Sequence, residues 1–282
     1  MQRDLIIATA AGYKFEQIEL FLRSLDKHFS GVLLLLTDKK YRLPKYSFEI
    51  EVGDIQADYF QSSIPFAFNS ANNRRLYFAK KYISDNHQFE YIFLTDIRDV
   101  IFQENPFEAL VDDKLQAAVE DVLIADNEYN SNWIRTLMGE DYYLTVKNKN
   151  VLCSGTILGG RKIILYYLDF VTKLLNEKGV HLDTGKNVFI IDQGAFIVFC
   201  YSFPQLVNLH TNQNGKIFTM SYIPKMALNS NGKFVNDEQK VYSIIHQYDR
   251  YPFLIDLFKK QNKIIGIQDL KTAVKTFLKN CL

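Results

Sequence analysis

The chain has 282 residues, 48% of them hydrophobic and 14% aromatic. That suffices for a sizeable core and excludes a disordered chain. Its 33 basic residues balance 32 acidic ones, so bulk charge gives no attraction to nucleic acid and no nucleic-acid partner is expected. The three cysteines, Cys153, Cys200 and Cys281, lie far apart without CxxC spacing. That argues against a disulfide framework or a zinc site and fits a reducing compartment. No window approaches the ~18 apolar residues of a membrane span. Met1–Asp4 runs straight into a strand-like segment without the features of a signal peptide, so a cytoplasmic location is expected.

In chain order, Leu5–Thr9 reads as a strand, Glu16–His28 as an amphipathic helix and Val32–Leu36 as a wholly apolar strand. This βαβ opening predicts a sheet with a parallel portion. Phe48–Val52 reads as a third strand and Asn69–Asn86 as a helix carrying Arg74 and Arg75. Tyr91–Leu94 is a buried strand that breaks into Thr95-Asp96-Ile97-Arg98-Asp99 before the apolar Val100-Ile101-Phe102. Phe107–Leu110 is a short helix and Leu115–Val119 a further strand. Glu120–Glu140, with the sole tryptophan Trp133, reads as a polar, irregular insertion or lid. Val151–Leu158 is a strand interrupted by Cys153-Ser154-Gly155, and Ile163–Lys178 a helix. A strand over Val188–Ile191 leads to Asp192-Gln193-Gly194 and an apolar helix, Ala195–Tyr201. Short strands and turns follow, among them Asn208–His210, Ile217–Met220, Asn229–Gly232 and Val241–His246. Helices are expected at Phe253–Lys260 and Asp269–Leu282. The alternation predicts one α/β domain with an irregular C-terminal part.

Four constellations bear chemistry. Asp96 and Asp99 put two hard oxygen ligands at a strand's carboxyl end, where open α/β sheets bind ligands and where Mg²⁺ or Mn²⁺ would bridge phosphates. On spacing alone, a solvated acidic turn or a structural pair with Arg98 is the plainer account. His246 ends the apolar run of Val-Tyr-Ser-Ile-Ile-His-Gln-Tyr-Asp-Arg and is a candidate third ligand, with His210 a weaker one. On position alone an ordinary core or edge histidine is the plainer account. Asp192 is a candidate general base, or a sugar-hydroxyl ligand with Gln193. On spacing alone a helix N-cap is the plainer account of Asp192, and the two readings are compatible. The small residues at Cys153–Thr156 mark a close approach of backbone or ligand, with Cys153 read as a buried filler. One of Arg74 and Arg75 would reach a diphosphate.

Lys271, Lys275 and Lys279 stripe one side of Asp269–Leu282. Docking onto the domain is the plainer role for that helix, and a peripheral contact with an anionic membrane the alternative. There is no GxGxxG after the first strand, no GxxxxGK[ST] and no GxSxG.

Together these segments resemble a group of bacterial and plant GT-A type nucleotide-diphospho-sugar glycosyltransferases. The group carries a D-x-R-D-V-x-F-Q-x-x-P-F element, matched by Asp96–Phe107. It also carries C-S-G-T with a following glycine (Cys153–Gly159), D-Q-G (Asp192–Gly194) and H-Q-Y-D-R (His246–Arg250). The match runs in order from about Leu5 to Arg250.

The resemblance implies a Rossmann-like GT-A fold, a mixed and mostly parallel central sheet flanked by helices. Residues 1–250 would form the domain, with a donor-binding half over 1–120, an acceptor half over 121–250 and a helical extension over 251–282. It implies Mn²⁺ or Mg²⁺ held by Asp96, Asp99 and His246. A nucleotide-sugar donor, a UDP-sugar first among them, would meet Thr9, Ala10, Tyr13, Asp38, Arg75, Asp96, Arg98, Ser154 and Gly155. Asp192 and Gln193 would be catalytic, and the acceptor a saccharide or glycolipid of cell-surface glycan synthesis at the inner face of the membrane. One departure stands out: two residues separate the carboxylates, where the usual DxD has one. That makes Asp99 the direct metal ligand, with Asp96 on the ribose or behind the metal. Arg98 would carry part of the cation's charge. The rivals are an inactive sugar-nucleotide or glycan-binding protein of the same fold, and a phosphohydrolase or nucleotidyltransferase using Asp96.

Overall fold

The computed structural model describes residues 3–55, 71–179, 191–220 and 226–264. Strand β1 (Arg3–Thr9), helix α1 (Phe15–Leu25) and strand β2 (Val32–Thr37) form the expected opening unit, followed by β3 (Glu49–Asp54). Helix α2 (Ala71–Asp85) leads into β4 (Phe89–Thr95), and one turn separates β4 from β5 (Val100–Phe102). Next come β6 (Leu115–Leu123), α3 (Glu128–Val146), β7 (Asn150–Gly160), α4 (Arg161–Gly179) and α5 (Asp192–Ser202). Strands β8 (Val207–His210), β9 (Ile217–Thr219), β10 (Ala227–Leu228), β11 (Phe234–Val235) and β12 (Ile244–His246) precede α6 (Pro252–Gln261).

The protein is α/β. Its central sheet has seven strands in the order β3-β2-β1-β4-β7-β6-β8. Only β7 runs antiparallel to its neighbours. Alternate residues of each inner strand serve opposite faces, as the pleat requires. Leu5, Ile7, Leu34 and Leu94 pack with Leu76 of α2 and Phe196 of α5. Ile6, Ala8, Leu35 and Phe93 pack with Ile18, Phe21 and Leu22 of α1 and with Val100, Phe102 and Ile244. The last three belong to a second, three-stranded sheet, β5-β12-β9. That small sheet is buried on both sides, because Ile101 and Ile245 face a third cluster completed by Leu254, Leu257 and Phe258 of α6.

The strand order reverses between β1 and β4. β1–α1–β2 winds one way, and the chain returns through α2 on the opposite face to place β4 beside β1. The crevice beyond the carboxyl ends of those two strands is the site that an open α/β sheet leaves for ligands.

Several expectations change. Glu120–Glu140 is not an irregular insertion: β6 continues to Leu123 and α3 starts at Glu128, with Asn127 accepting the Asn130 backbone N–H at 3.1 Å. Ile134 and Leu137 pin the helix to the core. A left-handed Gly139 (φ 83°) kinks it and breaks the pattern that would have revealed it. β7 spans Asn150–Gly160, but its pairing with β6 jumps from Ile157 to Cys153, so the interruption expected at Cys153-Ser154-Gly155 is present as an irregularity in the ladder. The strand expected at Val241–His246 is confined to Ile244–His246. Residues 188–190 of the expected strand and the whole Asp269–Leu282 helix, with its proposed membrane contact, lie outside the described residues. No described helix is long and apolar enough to cross a membrane.

His210 sits far from any ligand role. Its Nε2 faces Gln116 Oε1 at 3.0 Å, and its Nδ1 accepts the Lys216 backbone N–H at 3.2 Å. Burial lowers its pKa from 6.5 to about 4. The unfolded chain therefore binds the extra proton between those values, and stability falls as pH drops from 6.5 toward 4, by roughly 3 kcal/mol. Urea unfolding across that range should show the loss in the wild type, and His210→Gln should flatten the profile. An unchanged profile in the variant would remove His210 as its source.

Candidate active site

The three motif turns converge at the carboxyl edge of β4. β5 pairs antiparallel with β12, placing Val100 opposite His246 and Ile101 opposite Ile245. The residue before β5, Asp99, accepts the Gln247 backbone N–H through its carbonyl at 2.8 Å. On the other side, β4 pairs with β7 through Thr95 and Thr156. The Asp96 N–H then donates to Gly155 O at 2.9 Å. Asp96, Asp99, His246 and Gly155 are thereby set around one point.

His246 Nε2 lies 3.6 Å from Asp96 Oδ2 and 3.6 Å from Asp99 Oδ2. It is buried and has no hydrogen-bond partner. One ligand atom from each of the three residues lies within 4.8 Å of the others. An imidazole nitrogen facing two carboxylate oxygens is a donor set that could hold a hard or borderline divalent cation. Three protein ligands would leave coordination positions for water or phosphate oxygens. Asp96 and Asp99 each offer one oxygen to this group.

Gly155 makes this approach possible. A Cβ there would fall 2.4 Å from His246 Cε1, 2.7 Å from His246 Nε2 and 2.7 Å from Asp96 Oδ2. Below His246, Cys153 Sγ is 3.2 Å from Nδ1 and also accepts the Gly155 N–H at 3.4 Å. Cys153 is thus more than a filler: it touches the imidazole.

Arg75, from the second turn of α2, links two carboxylates. Nη1 binds Asp96 Oδ1 at 2.5 Å and Nη2 binds Asp192 Oδ2 at 2.7 Å. Asp192 is the first residue of α5, one position past the N-cap Ile191, so the capping role is not the one it takes. Gln193 extends the other way and donates to Asn130 Oδ1 of α3 at 3.2 Å.

Arg98 is held by the His246–Arg250 motif. Its guanidinium pairs with Asp249 at 3.1 Å, its carbonyl accepts the Tyr248 hydroxyl at 2.9 Å, and it lies 5.9 Å from the Tyr13 ring centroid.

The expected nucleoside side is only partly assembled from side chains. Thr9, Tyr13, Arg75, Asp96, Arg98 and Asp99 line a cleft of about 130 Å³. The Thr9 hydroxyl is buried without a partner beside it. Ala10 is fully buried and offers the cleft no side chain. Asp38 braces the loop, accepting the N–H of Gly12 (φ 79°) at 2.9 Å. Ser154 borders a narrow gap with Thr9, Arg75 and Thr95.

The charges divide unevenly. Burial raises the Asp96 carboxyl, but Arg75 and His246 outweigh it and hold it well below the usual range. Asp99 moves up, through burial and then through Asp96 and Asp249, against the pull of His246. Asp192 also moves up by burial, opposed by Arg75. Burial would lower the His246 imidazolium, but the Cys153 sulfur and the Asp99 and Asp96 carboxylates hold it well above its ordinary value.

Asp249, Tyr248 and Cys153 lie inside the motifs, but their contacts with Arg98 and His246 join distant parts of the chain and no local pattern reveals them. No model of a known protein family matches the chain. No curated protein matches it in sequence.

Gly155→Ala must displace His246 or Asp96. It should lower Mn²⁺ affinity about tenfold or more, at a stability cost of about 1–3 kcal/mol. Calorimetric Mn²⁺ titration and thermal unfolding of the variant check this. Wild-type affinity in a folded variant would show that the three side chains are not the ligands.

Proposed function

We propose that the protein is a metal-dependent glycosyltransferase of the GT-A type, moving a sugar from a nucleotide-diphosphate donor, a UDP-sugar in the first instance, to a saccharide acceptor. The observation that carries this reading is the orphaned His246 Nε2 facing Asp96 Oδ2 and Asp99 Oδ2 at the reversal point of the sheet. The sheet, parallel but for one reversed strand, supports it, as does the ordered run of four motifs ending on that point.

A bound divalent cation would neutralise the diphosphate as it departs. The protein's own groups do the rest. Asp96, Asp99 and His246 hold the cation's position. Thr9 and Tyr13 border the cleft for the donor. Arg75 is fixed in place by Asp192 on its far side, so its positive charge is oriented toward the cleft at no cost during reaction. Asp192 therefore works as a positioning residue through Arg75, and Gln193 is left to meet the sugar. To present its Nε2 lone pair, His246 must carry its proton on Nδ1 and give it to Cys153 Sγ.

The phosphohydrolase alternative is weaker. A nucleophilic Asp96 needs a free oxygen, but Oδ1 is bound by Arg75 and Oδ2 faces His246. The residue two positions on is Arg98, paired with Asp249, where an acid would be required.

Thermal shift against UDP-, GDP-, CMP- and dTDP-sugars, with and without Mn²⁺, tests the reading. One nucleotide class should raise the melting temperature by several degrees only with metal, and Asp99→Ala should abolish that increment. No shift under any condition would remove the donor site. Intact turnover in Asp99→Ala would remove the metal centre.

Cys153→Val takes away the Nδ1–H acceptor and should weaken Mn²⁺ binding roughly 10–100-fold, while Cys153→Ser retains most of it. Equal affinities for the two variants, read by calorimetry, would show that the sulfur does not orient the imidazole.

A further inference from the structure

The first turns of α3 carry two aromatic side chains beside the first turn of α5. Tyr129 is 73% exposed, the most exposed large hydrophobic residue among those described. Trp133, one helical turn on, is half-buried, with ring centroids 6.1 Å apart and planes at 41°. Trp133 packs by one side against the main core beside Ile134 and Leu137, whereas Tyr129 belongs to no core cluster.

Their place relative to the candidate centre is fixed by short contacts. Gly194 lies so close under Trp133 that a Cβ would stand 2.7 Å from Trp133 Cβ. Asn130, between the two rings in sequence, receives the Gln193 amide at 3.2 Å. Gln193 is next to Asp192, which binds Arg75, which binds Asp96. Four residues thus connect the rings to the candidate metal ligands, all at the sheet's carboxyl edge.

We infer that Tyr129 and Trp133 form a stacking platform for the neutral saccharide acceptor, a claim that rests on the glycosyl-transfer reading. A sugar ring presents a flat C–H face and a rim of hydroxyls. The first fits an aromatic face, and the second fits a planar amide such as that of Gln193, which the buried Asn130 holds in place. Charge points the same way. The exposed flanking residues are acidic, Asp126 and Glu128. Within α3 the one cation, Arg135, is taken up by Glu140 at 2.7 Å and by the Tyr143 ring. A phosphate-bearing ligand would be repelled here, whereas a neutral polyol would not.

Trp133 is the chain's only tryptophan, so its emission reports this platform alone. The test titrates the whole protein with lactose, maltotriose, cellotriose and chitotriose while following tryptophan fluorescence. Thermal shift with UDP-sugars and Mn²⁺ is run on the same samples. At least one oligosaccharide should give a saturable change. Tyr129→Ala should weaken it about tenfold without altering the UDP-sugar shift, and Tyr129→Phe, which keeps the ring, should bind as wild type. No saturable change with any of the four, or equal affinity in Tyr129→Ala, would overturn the platform. A UDP-sugar shift without saccharide binding would sink the platform and leave the donor reading standing. Saccharide binding without a UDP-sugar shift would sustain the platform as a glycan site and sink the transfer reading.

Discussion

Three residue pairs between β5 and β12, Val100–His246, Ile101–Ile245 and Phe102–Ile244, hold together the two ends of the candidate centre. Those strands are only three residues each, yet they are buried on both faces. Apolar packing therefore sets their register, since a slip of one residue would turn Ile101 and Ile245 to the wrong cluster. The same register fixes the chemistry. It delivers His246 to Asp96 and Asp99, the Gln247 N–H to the Asp99 carbonyl, and Tyr248 and Asp249 to Arg98. Gln247 takes a left-handed conformation, φ 63°, to turn the chain between these contacts. Such a conformation costs a non-glycine residue about 1 kcal/mol or more and persists only where surrounding contacts over-determine it. Here those contacts are the ones that build the site.

The electrostatics have a similar logic. Asp96, Asp99, Asp192 and Asp249 face two guanidinium groups, Arg75 and Arg98, so four negative charges meet two positive ones and an excess of two remains if His246 is neutral. The rise at Asp99 and at His246 is how the protein alone absorbs that excess, by holding protons. A divalent cation would discharge the same excess in one step. Arg75 plays a different part. It is tied at both ends and 13% exposed, so it fixes the spacing of Asp96 and Asp192 and does not wait for a ligand.

Much of this was legible in the chain because it is local. The apolar β2 and the alternation of strands with helices gave the α/β class, and the turn after β4 marked the acidic pair. What stayed hidden lay in long-range pairing. Arg75 and Asp192 are 117 positions apart, and Cys153 and His246 are 93 apart. The small residues of Cys153–Gly155 look like a broken strand in sequence, and the pairing of β7 with β6 does skip there. Their size is dictated by the imidazole stacked over Gly155, which no local pattern reveals. Helix α3 escaped notice for a related reason. Its exposed face keeps aromatic and apolar residues, Tyr129, Met138 and Leu144, and Gly139 breaks its period. The stripe that identifies a surface helix is therefore blurred.

That blurring is itself informative once α5 is in view. Asp192 and Gln193 are consecutive, yet the first is bound into the charged array through Arg75 and the second into the amide of Asn130. One helical turn thus borders a charged compartment on one side and a neutral, aromatic one on the other. Gly194 completes the arrangement, because only a residue without a side chain lets Trp133 and the α3 backbone close on that turn. The dipeptide at the head of α5 is where this chain brings the two environments together.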